Sequence, residues 1–238
     1  MSSQHAVIIG GSSGIGLATA RLLLDRGFKV TITGRDRAKL DAAAAGLDGD
    51  ISAIVMDASE VSSLREVFTT IGPLDHLVLA LGGGHGAGPF ATVDLSDLKK
   101  GFEQKTIAHF ACAQAALPHL SKEGSITFVS AVSAQAAMPG TAGLGAINAA
   151  IAALTPILAV ELKPIRVNCV SPGVVDTPWW DFLTEEQKAP TFAGFGARTP
   201  VGRVGRSDEI ADAIAFLIGN GFTSGHTLIC DGGVRLGQ

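Results

Sequence analysis

The stretch Gly10-Gly11-Ser12-Ser13-Gly14-Ile15-Gly16 stands between a short apolar run, Ala6–Ile9, and a segment of helical periodicity, Ile15–Arg26. Glycines in such a turn let the backbone bend sharply and approach a bound group closely. The first turn of the following helix offers free backbone N–H groups and the positive end of the helix dipole. A glycine-rich turn between a first strand and a first helix therefore predicts a site for the pyrophosphate of a dinucleotide.

The rest of the chain repeats this alternation of short apolar runs and longer helical segments. The predicted strands are Ala6–Ile9, Phe28–Thr33, Ile51–Met56, Leu74–Leu81, Ser125–Val129, Arg166–Val170 and His226–Cys230. The predicted helices are Ile15–Arg26, Asp36–Ala45, Val61–Ile71, Ser96–Leu120, Leu144–Leu162 and Ser207–Ile218. The pattern predicts an α/β fold, namely one Rossmann-type domain over residues 1–238 with a doubly wound parallel sheet of about seven strands and helices on both faces.

Local signals refine some of these boundaries. Asp36 and Ser96 are predicted N-caps, and Gly27 is a predicted C′ residue. Pro156 lies inside a helical pattern and predicts a kink or a break there. The long irregular stretch 176–206 is rich in aromatic residues, which leaves two interpretations open, a lid over a pocket or a helical insertion packed on the sheet.

The composition narrows the possible partners. Hydrophobic residues make up 47% of the 238 residues and charged residues 17%, which excludes a disordered polyelectrolyte. The net charge of -4 gives no reason to expect binding to nucleic acid or to an anionic membrane. The three cysteines are far apart and show no metal-ligand spacing, so we expect a cytoplasmic protein without a metal, a disulfide framework or a membrane span.

Several motifs, taken with the glycine turn, resemble the short-chain dehydrogenase/reductase family over nearly the whole chain. The turn has that family's glycine spacing, with Ile9 where threonine is usual; Asp57 follows the third strand; and the segments 168–173, 203–206 and 231–233 match further signatures. The resemblance implies a nicotinamide cofactor and a homodimer or homotetramer that acts on a small molecule. The cofactor-binding residues that it implies are Gly10, Ser12, Ser13, Gly14, Ile15, Gly16, Arg35, Asp57, Ala58, Gly82, Asn148, Pro172, Gly173 and Thr177.

The end of the second predicted strand bears on the choice of nucleotide. Gly34 is followed at once by Arg35, whose guanidinium suits a ribose 2′-phosphate, and Ser13 offers a further hydroxyl. This pattern favours NADP(H). In the alternative, Asp36 recognises NAD(H) and the neighbouring arginines are merely solvated.

The resemblance fails at the family's catalytic residues, an asparagine, a serine, a tyrosine and a lysine. Alignment through residues 165–168 puts these roles on Lys105, Ala131, Leu144 and Asn148, and the chain contains no tyrosine at all. Leucine has no ionisable proton, and an asparagine supplies no charge, although it can still hydrogen-bond a ribose hydroxyl. We therefore expect a non-standard proton route.

Two residues are candidates for the missing acid. Lys105 lies on the predicted middle helix, where a partly apolar cleft lowers a lysine pKa, but it equally fits a solvated lysine paired with Glu103. His85 lies in a loop after the fourth strand, where ligands of open α/β sheets bind, but it equally fits a surface histidine.

These observations predict an NADP(H)-dependent oxidoreductase that acts on a small activated carbonyl, enone, quinone or imine. An acceptor of this kind depends less on a strong acid than an unactivated ketone does. Two alternatives remain open: an inactive NADP(H)-binding sensor or scaffold, and a non-redox lyase, isomerase or dehalogenase on the same fold.

Overall fold

The computed structural model describes residues 3–237 and contains one large parallel sheet. Its strands are β1 (His5–Ile9), β2 (Lys29–Gly34), β3 (Ile51–Val55), β4 (Leu74–Leu79), β5 (Leu120–Val129), β6 (Arg166–Pro172) and β9 (Thr227–Cys230). They run in the order β3-β2-β1-β4-β5-β6-β9, and all the pairings are parallel. Two short strands, β7 (Val175–Asp176) and β8 (Gly205–Arg206), pair separately from this sheet.

Helices cover both faces of the sheet. They are α1 (Gly14–Asp25), α2 (Arg37–Ala45), α3 (Leu64–Ile71), α4 (Leu95–Gly101), α5 (Ala108–Ala116), α6 (Ala142–Glu161), α7 (Glu185–Arg198) and α8 (Ser207–Gly219). One apolar core lies under α3, α5 and α6, and a second lies under α1, α2 and α8. The parallel sheet with helices on both faces confirms the predicted doubly wound α/β fold. Strands that are covered on both faces need the continuous apolar sequence seen here.

The topology sets where a ligand binds. From β1, the chain winds outward through β2 and β3 on one side and through β4, β5 and β6 on the other. In such sheets a crevice opens beyond the carboxyl ends of the strands where the winding reverses. The glycine turn lies at this point, because it leaves the end of β1 and enters α1.

The predicted middle helix 96–120 is divided. α4 passes at Gly101 into a π-helical turn over Phe102–Ile107, which continues into α5. A short 3-10 turn follows, and β5 begins at Leu120. The prediction of one uninterrupted α-helix was wrong, and single π-helical turns inside helices occur frequently at functional sites.

Two other local predictions need correction. Asp94, not Ser96, caps α4, since its carboxylate accepts a hydrogen bond from the backbone N–H of Ser96 at 2.8 Å. The break predicted at Pro156 does not occur, because α6 runs through this exposed position from Ala142 to Glu161. The cap at Asp36 is present, because its side chain accepts from the N–H of Lys39, and Gly27 adopts the positive φ of 82° that suits a C′ residue.

α6 also has the length and apolar composition of a membrane-spanning helix. In this fold it packs against β5, β6 and the short 3-10 turn over residues 132–134, as the core helix of a soluble domain also does. Length and composition alone are therefore weak evidence for a membrane.

Candidate active site

A large cavity of about 800 Å³ lies beyond the carboxyl ends of the sheet strands. All the residues predicted from the sequence to bind a cofactor line it. They are Gly10, Ser12, Ser13, Gly14, Ile15, Gly16, Arg35, Asp57, Ala58, Gly82, Asn148, Pro172, Gly173 and Thr177. Its volume falls within the range of cofactor and ligand sites in proteins.

The glycine turn forms one wall of the cavity and requires glycine at two places. Gly10 has a φ of +84°, and a Cβ there would lie 2.7 Å from the carbonyl oxygen of Ala80. A Cβ on Gly16 would collide with the carbonyl oxygen of Gly10. Ser13 precedes α1 without a side-chain capping bond, and the first turn of α1 contains no acidic residue. The N-terminus of α1 is thus open to an anionic group of a ligand.

The end of β2 and the start of α2 bring two cations to the cavity. Arg35 and Lys39 both line it, and neither forms an ion pair with a carboxylate within the described part of the chain. The carboxylate of Asp36 is occupied in capping α2 and does not line the cavity. Arg37 points elsewhere and pairs with Asp41 at 3.6 Å. Arg35 and Lys39 could therefore hold a phosphate group of a ligand.

Asp57 borders the same end of the cavity. Its carboxylate accepts hydrogen bonds from the backbone N–H and the hydroxyl of Ser59, and these bonds, with the charge of Arg35, lower its pKa although partial desolvation opposes them. An ionised acceptor at this position is suited to an amino group of a ligand.

The opposite end of the cavity contains the four positions at which the sequence departs from the family pattern. Lys105, Ala131, Leu144 and Asn148 all line it. Of these, only Lys105 can ionise.

Lys105 is buried within the π-helical turn, with only 8% of its surface exposed. Its ammonium lies 3.5 Å from the carbonyl oxygen of Ser130. Burial lowers the pKa of Lys105 to about 8, against a weaker opposing effect from Cys169. The alternative of a solvated lysine paired with Glu103 is wrong, since Glu103 pairs instead with Lys99.

The neighbours of Lys105 do not balance its charge. Burial raises the pKa of the Cys169 thiol to about 11, so the thiol is neutral near pH 7. His109 is also buried, and burial together with the charge of Lys105 lowers its pKa to about 4, although the carbonyl oxygens of Lys105 and Leu79 face its ring nitrogens. A buried cation without a counter-ion is costly, and such groups cluster at functional sites.

Two hydrogen bonds from its side-chain amide fix Asn148 at the cavity wall. Its Nδ2 donates to the carbonyl oxygen of Leu144 at 2.9 Å and to the hydroxyl of Ser133 at 3.2 Å. Its Oδ1 is buried and has no hydrogen-bond partner among the described residues. A buried acceptor without a partner needs a hydrogen-bond donor from a ligand, a water molecule or a nearby cation.

His85 does not line the large cavity. Its Nδ1 lies 2.6 Å from Oδ1 of Asp97, while Oδ2 of the same carboxylate accepts the backbone N–H of Gly86 at 2.6 Å. These two bonds lower the pKa of Asp97 and outweigh the opposing effect of desolvation. The prediction of His85 as a direct acid in the main cavity is therefore not supported by its position.

Segment 176–206 combines both of the interpretations left open by the sequence. It contains α7 and is thus a helical insertion, and Trp179, Trp180 and Phe195 from it line the cavity. Nε1 of Trp179 donates to the carbonyl oxygen of Gly83 at 3.2 Å, across the mouth of the cavity. The segment covers the site in this structure, and its movement as a lid stays a prediction.

The sequence prediction omitted Lys39 and Asp97 and gave Trp179 no role of its own. Lys39 was detectable, because it lies four residues after Arg35. Trp179 was recognised only as part of an aromatic stretch, since its partner Gly83 is 96 residues away. The partnership of His85 with Asp97 joins a loop to a helix and leaves no local signal.

Comparisons with known proteins agree with this geometry. The model of a protein family described as enoyl-(acyl carrier protein) reductase matches residues 10–235. The cis-4-hydroxycyclohexanecarboxylate dehydrogenase of Sinomonas cyclohexanicum is 35% identical over 244 residues, which cover 98% of this chain and 96% of that protein. The L-fucose dehydrogenase of Mus musculus is 30% identical over 251 residues, which cover 99% and 90% of the two chains.

A solved structure extends the likeness to the cofactor-bound state of a relative. A small-chain dehydrogenase in complex with NADPH is 30% identical to this chain and superposes with a TM-score of 0.85, over 99% of this chain and 100% of the other.

Proposed function

The chain belongs to the short-chain dehydrogenase/reductase family of oxidoreductases, and we propose that it is an NADP(H)-dependent member in which Lys105 takes over proton donation from the family's tyrosine and the positive charge from the family's lysine. The observation that carries this proposal is the ammonium of Lys105, buried at the same cavity as the glycine turn with no counter-ion among residues 3–237. The bound cofactor supplies the hydride.

The preference for NADP(H) over NAD(H) is supported by three neighbouring residues. Arg35 and Lys39 bring to the cavity two cations that pair with no carboxylate among the described residues, and Asp36 is occupied in capping α2. An arginine binds a phosphate through two oxygens, whereas an NAD(H) site needs a free acidic acceptor for the ribose 2′-hydroxyl. The solved NADPH complex of a relative gives this preference further, weaker support.

Lys105 has two tasks in the proposed reaction. Its ammonium stabilises the negative charge that develops on the substrate oxygen, and its lowered pKa suits it to release a proton near neutral pH. Leu144, Ala131 and Trp179 surround the site with apolar surface, which excludes water and strengthens this interaction. A lysine is a stronger acid here than in water, because burial disfavours its charged form.

The proposed class of acceptor follows from two side chains of the family pattern that this chain lacks. With Ala131 and Leu144 in place of a serine and a tyrosine, no hydroxyl from those two positions can hold a ketone oxygen. We therefore propose a small activated acceptor, such as a quinone, an enone, an imine or an activated ketone, for which a single ammonium is sufficient.

The experiment is a measurement of NADPH oxidation with such acceptors. The panel includes enones, quinones, cyclic imines and ketones, among them a cyclic keto acid suggested by the name of the Sinomonas relative. The proposal expects turnover with at least one class and a preference for NADPH over NADH. Saturable binding of NADPH without turnover on any class would support an inactive sensor or scaffold instead.

We further propose that the chain assembles as a homo-oligomer through the helices of the middle of the chain. Ile107 and Phe110 on one side, and Ile157 and Val160 on α6, expose apolar side chains to solvent. Exposed apolar surface of this kind is typical of an interface. Light scattering at micromolar concentration should give the mass of a dimer or tetramer.

A further inference from the structure

A second and much smaller cavity lies beside the main one. Its volume is about 10 Å³, close to the smallest that holds one water molecule. Lys105, Asn148 and Gln104 border both cavities, whereas His85 borders only the small one. The small cavity therefore lies between the buried lysine and the histidine.

The lining of the small cavity is suited to a hydrogen-bonded water. A buried water needs two to four polar partners, and His85, Gln104, Lys105 and Asn148 each bring a polar side chain to this lining. Asn148 also has a buried Oδ1 without a partner, and the ammonium of Lys105 makes one long contact, to Ser130, where three donors are available.

The two ends of this path differ in their access to solvent. Lys105 is buried, but 40% of the His85 side chain is exposed. Asp97 holds Nδ1 of His85, which leaves Nε2 without a hydrogen bond to any other described residue. A histidine that is fixed by a carboxylate at one nitrogen and free at the other has the arrangement of a proton carrier.

We infer that His85, positioned by Asp97, returns protons from solvent to Lys105 through this small cavity. The inference rests on the proposed function. Reduction of a carbonyl consumes one proton in each turnover: Lys105 gives a proton to the substrate oxygen, a water in the small cavity passes one from His85 to the neutral amine, and His85 takes one from solvent.

The other charged groups around the path do not offer an equivalent route. Lys100 lies on the same helix as Asp97, but it is exposed and borders neither cavity. On the far side of Lys105, Cys169 and His109 are buried and neutral, so neither connects the amine to solvent. His85 is thus the titratable group that joins Lys105 to the outside within the described chain.

The test compares His85→Gln and Asp97→Asn with a matched control, His226→Gln. His226 is exposed before β9 and borders neither cavity. With an acceptor that the unaltered protein reduces, NADPH oxidation is followed through the first turnover by stopped flow and then in the steady state. A denaturation midpoint for each variant shows that it is folded.

The inference expects both variants to complete the first turnover at the unaltered rate, because Lys105 already carries its proton. Their steady-state rate should then fall by about tenfold or more, and imidazole in the buffer should restore it. The control should match the unaltered protein in both phases.

Other results would overturn the inference. A steady-state rate in His85→Gln equal to that of His226→Gln would show that protons reach Lys105 by another route, and the proposed function would stand. A first turnover slowed as much as the steady state would place His85 in the reaction itself. No oxidation by the unaltered protein, with any acceptor, would overturn both the inference and the proposed function.

Discussion

The buried ammonium of Lys105 lies 3.5 Å from the carbonyl oxygen of Ser130, just after β5, and has no acidic partner in the described part of the chain. A carbonyl oxygen orients an ammonium but does not neutralise it. The charge therefore remains available to a group that enters the cavity, and burial makes it more easily lost as a proton. If Lys105 acts as proposed, the rate of reduction depends on pH and on the lysine itself.

The rate of reduction should fall at alkaline pH. The pKa of Lys105 is lowered to about 8, so the protonated form that donates is present below this pH and is lost above it. We expect kcat/KM to be nearly constant below about pH 8 and to decrease about tenfold for each further pH unit. A pH–rate profile at saturating NADPH checks this, and a flat profile up to about pH 9.5 would contradict it.

The affinity for NADPH should depend on Arg35 and not on its neighbour Arg37. Removing the guanidinium in Arg35→Ala should cost about 1.5–3 kcal/mol of binding, or about tenfold to a hundredfold in Kd. The affinity for NADH should change little, because that cofactor has no 2′-phosphate. Fluorescence titration with each cofactor measures both constants.

Arg37→Ala is the matched control for this comparison. Arg37 pairs with Asp41 on the exposed side of α2, so its removal should leave both affinities unchanged. An equal loss of affinity in the two variants, or an equal loss of affinity for NADH and NADPH, would show that Arg35 does not bind the 2′-phosphate.

The folded protein should lose stability in mild acid because of a buried histidine at the other end of the sheet. Burial lowers the pKa of His76 to about 4, below its value in the unfolded chain. Between these two values the unfolded chain binds more protons, so the stability is complete above about pH 6.5 and is lost as the pH falls toward 4.

The size of this effect can be measured by difference. The shift corresponds to about 3 kcal/mol. The free energy of unfolding in urea, measured between about pH 7.5 and pH 5, should therefore decrease less in His76→Gln than in the unaltered protein. The exposed His226→Gln should keep the full decrease. The same decrease in all three proteins would show that His76 does not cause the loss of stability in mild acid.

The fold was predictable because its signals are local. Each strand is covered on both faces, so a short run such as Ala6–Ile9 is apolar throughout. The turn 10–16 needs glycine for local reasons, because a Cβ on Gly10 or Gly16 would collide with a backbone oxygen. The spacing of these residues is enough to place the cavity beyond β1.

Smaller features were less predictable because several residues competed for one role. Asp94 and Ser96 are both good helix caps, and the structure uses Asp94 because its carboxylate accepts both the N–H and the hydroxyl of Ser96. Pro156 sits on the solvent side of α6, where water can satisfy the carbonyl that a proline leaves without a donor.

The burial of Lys105 could not be predicted from the sequence, because it depends on long-range packing. Helical periodicity assumes a regular turn, but residues 102–107 form a π-helical turn, which changes the direction of each side chain after Gly101. The sequence places Glu103 near Lys105, yet in the structure Glu103 turns to Lys99. The same limit applies to His85, whose partner Asp97 comes from a helix that follows twelve residues later.

The most direct measurement is the rate of NADPH oxidation by Lys105→Met beside Lys99→Met, with the best acceptor of the panel and saturating cofactor. Lys99 is an exposed lysine on α4, so its substitution should have no effect. Lys105→Met should bind NADPH as tightly as the unaltered protein but reduce the acceptor at least about a hundredfold more slowly. Equal rates in the two variants would contradict the central role given to Lys105.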